Sequence, residues 1–219
     1  MKFPNAFRGI KKIWLAELLL LLVAVLGIAL IVVVAANGKL DVNGQVDPDS
    51  LAAVETPAAI LGIATALIAL VAFILNLIGL INARNDDNAF SIALLVTVLG
   101  VIASAVSAIW SSNQNLVKWM DTAITIFSML ASYYVLTGIA NLAEQYPDPD
   151  TKALALKSRT LVEGTFCATA VFKLIINIFK IQNGSTIYTI LAIVALLLEL
   201  VSYILFLRAL SKAKKMLAK

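Results

Sequence analysis

Six apolar stretches, each of roughly 20 residues or more, dominate this chain of 219 residues. They lie near residues 13–36, 57–82, 89–111, 119–142, 161–181 and 186–210. A helix of about 20 apolar residues crosses the hydrocarbon core of a bilayer. Hydrophobic residues make up 61% of the chain and charged residues only 14%, a balance that no ordinary water-soluble domain has. The sequence therefore predicts an all-α, polytopic membrane helical bundle of about six transmembrane helices.

The basic residues predict how this bundle is oriented, because the cytoplasmic flanks of membrane spans retain Lys and Arg. If both termini are inside, 13 of the 17 basic residues fall on the inner side. These are Lys2, Arg8, Lys11, Lys12, Arg84, Lys152, Lys157, Arg159, Arg208, Lys212, Lys214, Lys215 and Lys219. We therefore expect six crossings with the N- and C-termini in the cytoplasm, and we expect the protein in the cytoplasmic (plasma) membrane of a bacterium.

A single transmembrane domain, residues 13–210, is predicted between two basic ends. Residues 1–12 mix basic and apolar side chains, so they form either an amphipathic piece on the inner membrane surface or a frayed terminus. Residues 211–219 form a basic cytoplasmic tail. Similar patterns in spans one and three, and in spans two and six, have two interpretations: repeated two-helix hairpins, or chance similarity between helices built from few residue types.

Polar segments predict where two of the helices begin. Residues 37–56 are expected to form an outer loop, with Pro57 as the first residue of span two. In the inner loop, Asp150 or Thr151 can cap a helix that runs on into span five. Thr160 and Glu163 have the spacing of a capping box and allow a later start, so both starts stay open.

Small and polar residues recur at three- and four-residue steps in spans two and three, so each set shares one helix face. In lipid, such faces allow close backbone approach and interhelical hydrogen bonds. The sets are Gly62, Thr65, Ala69, Ala72, Asn76, Gly79 and Ala83 in span two, and Thr97, Gly100, Ser104, Ser107 and Ser111 in span three. We expect both faces to pack against other helices, and the alternative is a polar pore lining. Span four carries a similar hydroxyl stripe, whose members can bond back to their own helix.

Ionisable residues in spans five and six form the candidate intramembrane polar site. Glu163, Lys173 and Asn177 share one face of span five, and Glu199 lies in span six. A charge in hydrocarbon is costly unless it is paired or solvated, so this face is predicted to point into the bundle. Side chains lean toward the N-terminus of their helix, which brings Lys173 and Glu199 of two antiparallel neighbours together. The expected pair is structural, part of a proton or ion pathway, or a contact to a substrate headgroup.

The residue types present argue against an enzyme. The chain has no histidine and a single cysteine, Cys167, which excludes histidine-based triads, HExxH zinc sites and an intramolecular disulfide. No cofactor, metal or nucleic-acid partner is predicted. The leading hypothesis is a non-enzymatic bundle that acts through the lipid bilayer, a membrane-protein partner or a second copy of itself. The alternatives are a small transporter or channel using Lys173, Asn177 and Glu199, and a lipid-modifying enzyme with carboxylates at the inner face.

The orientation gives a testable prediction, because the basic flanks should stay on the inner side. Single cysteines introduced on a Cys167→Ala background at residues 40–50 or 113–116 should react with a membrane-impermeant thiol reagent in intact cells. Cysteines at residues 152 and 217 should react only after the cells are permeabilised, which controls for their reactivity. Labelling of either position in intact cells would contradict the six-crossing topology.

Overall fold

The computed structural model describes residues 2–37, 48–146, 148–178 and 186–218, and the side chains of Lys173 and Asn177 lie outside that description. Six helices occupy these ranges: α1 (Pro4–Asn37), α2 (Pro48–Ala83), α3 (Asn88–Ile109), α4 (Gln114–Gln145), α5 (Pro149–Ile178) and α6 (Thr186–Leu217). The predicted all-α class is confirmed.

Five of these helices have the length and composition of membrane spans. They are Pro4–Leu30 of α1, Ala58–Ala83 of α2, all of α3, Trp119–Gln145 of α4, and all of α6. Large aliphatic side chains on them are widely exposed, for example 63% at Ile63 and 65% at Leu196, as expected for surfaces that face lipid. The chain is therefore an integral membrane protein.

Helix α5 is not among those five in the described part of the chain. Charged residues are frequent in its first nine residues, where Asp150, Lys152 and Lys157 lie. The sixth crossing, and with it the placement of both termini in the cytoplasm, stays a prediction.

The chain forms two compact units. The first comprises Met1–Lys11 together with Gly79–Lys219, and the second comprises Lys12–Ile78. Within the first unit α3 packs on α4, α4 on α5, and α5 on α6, while α6 also contacts α4. In the second unit Ala16 and Ala72 are fully buried.

A glycine allows α3 and α4 to pack closely. Phe90 of α3 is fully buried, and a Cβ atom on Gly138 of α4 would lie 2.6 Å from its ring. No larger residue could occupy that position without displacing the ring. The surrounding core is aliphatic, with Leu136, Ile139 and Leu142 of α4 also fully buried.

Two carboxylates fix the connection between α2 and α3. Asp87 is extended and precedes α3, where its side chain accepts a hydrogen bond from the Ala89 amide at 2.8 Å. It also accepts one from Asn141 Nδ2 of α4 at 3.1 Å. The first amides of a helix have no partner within it, so this cap both starts α3 and ties it to α4.

The neighbouring carboxylate caps a different helix. Asp86 accepts a hydrogen bond from the Ala6 amide at 2.6 Å and from Asn5 Nδ2 at 3.2 Å, both in the first turn of α1. An acidic group at a helix N-terminus also interacts favourably with the helix dipole. Residues 4–12 are therefore part of helix α1 and not a frayed end, and Ala6 and Ile10 are fully buried.

The structure decides between the two predicted starts of α5. The helix begins at Pro149, so the earlier start is confirmed and the later one at Thr160 is wrong. The cap, however, is Asp148, whose carboxylate accepts from the Thr151 amide at 2.9 Å. Proline suits the first helical position, which leaves the preceding residue to cap. Asp150 instead forms an ion pair with Lys212 of α6 at 3.4 Å.

The predicted start of α2 is also wrong. The helix begins at Pro48 and runs without a break through Pro57, so the connection before it is shorter than the expected loop of residues 37–56. Pro48 suits a first helical position as well as Pro57 does, and it is followed by an acidic residue that favours a helix start.

The first turns of α1 lie very close to the last turn of α2. A Cβ atom on Gly9 would lie 2.5 Å from the Gly79 carbonyl oxygen and 2.7 Å from both Cβ and the amide nitrogen of Ala83. Two of these three neighbours are backbone atoms, which cannot swing aside as a long side chain could. Gly9 is therefore required by the packing of two helices.

We expect Gly9→Ala to lower stability by about 1–3 kcal/mol, because the added methyl group overpacks this crossing. In detergent, the midpoint of thermal unfolding should fall by roughly 2 °C or more. Gly27→Ala in the same helix is the matched control, since a Cβ atom there meets nothing within 4 Å. Alanine is also the better helix former, so that control should unfold at the same temperature or higher. Equal behaviour of the two variants would rule out the close crossing.

Candidate functional site

An open cleft lies in the first unit, between α4, α5 and α6, with a volume of about 260 Å³. Each helix contributes four lining residues at three- and four-residue steps, so each presents one face to the cleft. The lining residues are Thr125, Ser128, Met129 and Ser132 of α4, Val162, Thr165, Phe166 and Thr169 of α5, and Glu199, Ser202, Tyr203 and Phe206 of α6.

The lining combines apolar side chains with many hydroxyl groups. Seven of the twelve residues carry a hydroxyl, and Glu199 supplies the one carboxylate among them. Hydroxyls both donate and accept hydrogen bonds, so such a wall can bind a polar group without carrying a charge. The cleft therefore offers an apolar surface for a hydrocarbon chain and scattered partners for oxygen atoms.

One of these hydroxyls, that of Thr165, is buried without a hydrogen-bond partner among the described residues. Thr165 is only 8% exposed, and its Oγ1 atom has no hydrogen-bond partner in the described part of the chain. Other threonines bond back to the carbonyl four residues earlier, as Thr125 does to Asp121 at 2.8 Å. An unsatisfied buried hydroxyl costs about 1–3 kcal/mol, so a partner supplied by a ligand would stabilise this site.

An arginine lies one helical turn before the cleft residues of α5. The Cζ atom of Arg159 is 5.1 Å from the centre of the Tyr133 ring, and its Nη1 atom is 3.5 Å from Thr137 Oγ1. Its Nε atom is buried and has no hydrogen-bond partner in the described residues. The nearest acidic residue along α5, Glu163, is exposed and forms no ion pair with it.

The interfaces on either side of α5 are tied by polar contacts near its start. Lys152 pairs with Glu144 of α4 at 3.0 Å. The Ser158 hydroxyl lies 2.8 Å from the Leu154 carbonyl oxygen and 3.3 Å from that of Leu205 in α6. Ser158 is fully buried, so its hydroxyl lies at the contact between α5 and α6 and its one hydrogen is shared between the two carbonyl oxygens.

Residues of the predicted polar site have different positions in the structure. Glu199 lines the cleft. Glu163 is exposed and does not line it, because the face of α5 that points into the bundle runs through Val162, Thr165 and Thr169 instead. The side chains of Lys173 and Asn177 lie outside the described residues, so the expected pair of Lys173 with Glu199 stays a prediction.

The predicted packing faces are only partly packed. Gly79 is buried beside Gly9, and Ala69 and Asn76 are half-buried, but a Cβ atom on Gly62 would meet nothing within 4 Å. On α3, a Cβ atom on Gly100 would touch Phe127 of α4 at 3.5 Å, and Ser107 is half-buried. Ser104 is exposed and donates back to the Gly100 carbonyl at 3.0 Å. None of these residues lines the cleft.

Sequence reasoning missed several residues of the cleft. Thr165 and Thr169 sit four residues apart in an apolar stretch, and Ser202 interrupts another, which is the signal that could have found them. Arg159 was counted only among the inner basic residues. Which helices bring these residues together depends on packing between α4, α5 and α6, and no periodicity within one helix reports that.

Comparison of the chain with protein-family models, with curated proteins and with solved structures gave no match. Among the described residues, no group of three or more His, Cys, Asp or Glu side chains is placed to hold a metal ion. The function is therefore inferred from the chemistry of the cleft.

Proposed function

We propose that this protein is a non-enzymatic membrane protein that binds an amphipathic ligand, a membrane lipid or a lipid-like molecule, in the cleft between α4, α5 and α6. The observation that carries the proposal is the mixed lining of that cleft. Met129, Phe166 and Phe206 offer surface to a hydrocarbon chain, while the hydroxyls offer partners to ester or headgroup oxygens.

The size of the cleft suits part of a small amphipathic molecule. The cleft volume of about 260 Å³ is close to the lower end of the range for small-molecule sites. A single acyl chain is thin and flexible enough to enter. Because α4 and α6 are both long and apolar enough to span a membrane, such a chain would reach the cleft directly from the bilayer.

The unsatisfied hydroxyl of Thr165 supports a ligand with oxygen atoms rather than a pure hydrocarbon. The hydroxyl is buried without a partner in the described residues, and if the side chain turned toward the cleft it would donate to a carbonyl oxygen of the ligand and remove the cost of leaving it alone. We further propose the cytoplasmic membrane of a bacterium as the location; the distribution of basic residues supports the placement of both termini on the cytoplasmic side.

Filling the cleft should abolish binding. Lipids with a photoactivatable group in the acyl chain should label peptides from α4, α5 and α6 of the purified protein, and Ser202→Phe should reduce this labelling at least fivefold. Ser202 is 7% exposed and lines the cleft, so a ring at this position would occupy the space of the ligand.

Ser104→Phe makes the same change on the exposed surface of α3 and is the control. It should label as the unmodified protein does. Undiminished labelling of the Ser202 variant, or labelling confined to α2 and α3, would contradict the proposal that the cleft binds a lipid.

A second candidate function is a small transporter or channel, which the position of Glu199 favours. This carboxylate lines the cleft and lies 13 residues after Thr186, roughly 20 Å along its helix. Ionisable groups at such depth often mark proton or ion routes.

Transport can be tested in vesicles that contain the purified protein and a trapped pH-sensitive dye. If Glu199 carries protons, an imposed pH gradient should collapse faster than in protein-free vesicles, and Glu199→Gln should remove the difference. The control Glu163→Gln changes an exposed carboxylate outside the cleft and should leave the rate unchanged. A rate equal to that of protein-free vesicles would exclude proton transport.

A further inference from the structure

We propose that Arg159 binds a phosphate group of the ligand in the cleft, an inference that rests on the proposed lipid-binding function. A guanidinium group presents five N–H donors in a planar fork that matches the oxygen atoms of a phosphate. Few of these donors are used by the protein itself. The Nε atom is buried without a partner in the described residues and is closed to a ligand in this conformation, so the donors of the two terminal nitrogens carry the proposal, and the contact of Nη1 with Thr137 Oγ1 is 3.5 Å long.

The long contact to Thr137 is a weak substitute for an anion. A distance of 3.5 Å exceeds the usual range for an N–H to oxygen hydrogen bond, which ends near 3.2 Å. The Thr137 hydroxyl donates to the Tyr133 carbonyl at 2.9 Å, so it can only accept from Arg159. A neutral hydroxyl oxygen at this distance leaves the positive charge uncompensated.

The aromatic contact holds the guanidinium in place without neutralising it. The Tyr133 ring lies 5.1 Å from Arg159 Cζ, within the range of a cation–π interaction, and it packs edge to face against Tyr134. In the described part of the chain no carboxylate pairs with Arg159. The two ion pairs of α5 there are formed by Lys152 and by Asp150. The guanidinium of Arg159 is therefore charged and held in place, and it has few hydrogen-bond acceptors within the described residues.

Arg159 also lies where the headgroup of a lipid would lie. Arg159 is the last of four charged residues among the first eleven residues of α5, and from Leu161 the helix is mainly apolar. In the predicted six-crossing arrangement this change places Arg159 at the inner membrane interface, where basic residues are retained. Arg159 precedes the cleft residue Val162 by one turn, and Tyr133 follows the cleft residue Ser132 directly. A ligand with its chain in the cleft would thus bring its polar end to Arg159.

The test compares two lipids that differ only in the phosphate, namely phosphatidic acid and diacylglycerol with identical photoactivatable acyl chains. With the full-length protein in detergent, we expect phosphatidic acid to label the cleft at a concentration at least tenfold lower than diacylglycerol does. Arg159→Gln should remove this preference, while Arg208→Gln, at an exposed arginine of α6, should retain it.

Arg159→Lys guards against a folding defect, because it keeps the charge and loses only the fork. We expect it to fold, as judged by thermal unfolding, and to reduce the preference for phosphatidic acid at least threefold. Retention of the full preference in Arg159→Gln would overturn the inference. Equal labelling of the unmodified protein by both lipids would also overturn it and would leave the lipid-binding proposal standing.

Inorganic phosphate separates the two possible sources of the anion. If the ligand is a lipid, millimolar phosphate should compete poorly with phosphatidic acid, because it has no chain to enter the cleft. If neither lipid labels the cleft, the lipid-binding proposal fails, and calorimetric titration with inorganic phosphate decides the inference on its own. Binding that is lost in Arg159→Gln would support a site for free phosphate, and no binding would overturn it.

Discussion

In a bilayer, every polar group on a helix must find its partner within the protein or on a ligand, because hydrocarbon offers none. Several hydroxyl groups in the described part of the chain meet that requirement locally. Thr65, Thr97 and Thr125 bond back to the carbonyl four residues earlier, at 2.7–2.8 Å. Such bonds keep a hydroxyl satisfied wherever its face points. A hydroxyl that fails to make this bond is therefore informative, and among the lining residues of the cleft Thr165 is such a case.

The same requirement explains how the ends of the helices are joined. Asp86, Asp87 and Asp148 each accept hydrogen bonds from the first turn of a helix, where amides lack partners. Asp86 caps α1 from about 80 residues away, and Asp87 additionally reaches Asn141 of α4. These carboxylates thus act as long-range ties as well as local caps. The close approach of Gly9 to Gly79 and Ala83 lies just beyond the cap from Asp86, so hydrogen bonding and packing fix the same end of α1.

The helices themselves could be predicted from the sequence, because lipid demands about 20 apolar residues for each span. Their ends were harder to predict. Both Pro48 and Pro57 suit a helix start, and Asp150 and Thr151 are as suitable as Asp148 for capping α5. The cleft was harder still. Glu199 could be predicted from its charge in an apolar stretch. Thr165 and Ser202 have no distinguishing feature in the sequence, and only the packing of three helices brings them together. Glu163 was expected to point into the bundle because it shares a helix face with other polar residues. It is exposed, which shows that sharing a face does not decide where that face points.

The surroundings of Arg159 in the structure differ from those that its position in the sequence predicts. A basic residue near the inner end of a span is expected to lie in water or among headgroups, where its charge is solvated. Here the Nε atom is buried, and the guanidinium lies against an aromatic ring instead. Arg159 is half-buried, so part of its side chain stays accessible. A cation–π contact is worth about 0.5–2 kcal/mol and uses the face of the guanidinium rather than its N–H groups, so an anion of the kind we propose would add charge-assisted hydrogen bonds to a group that the ring already holds.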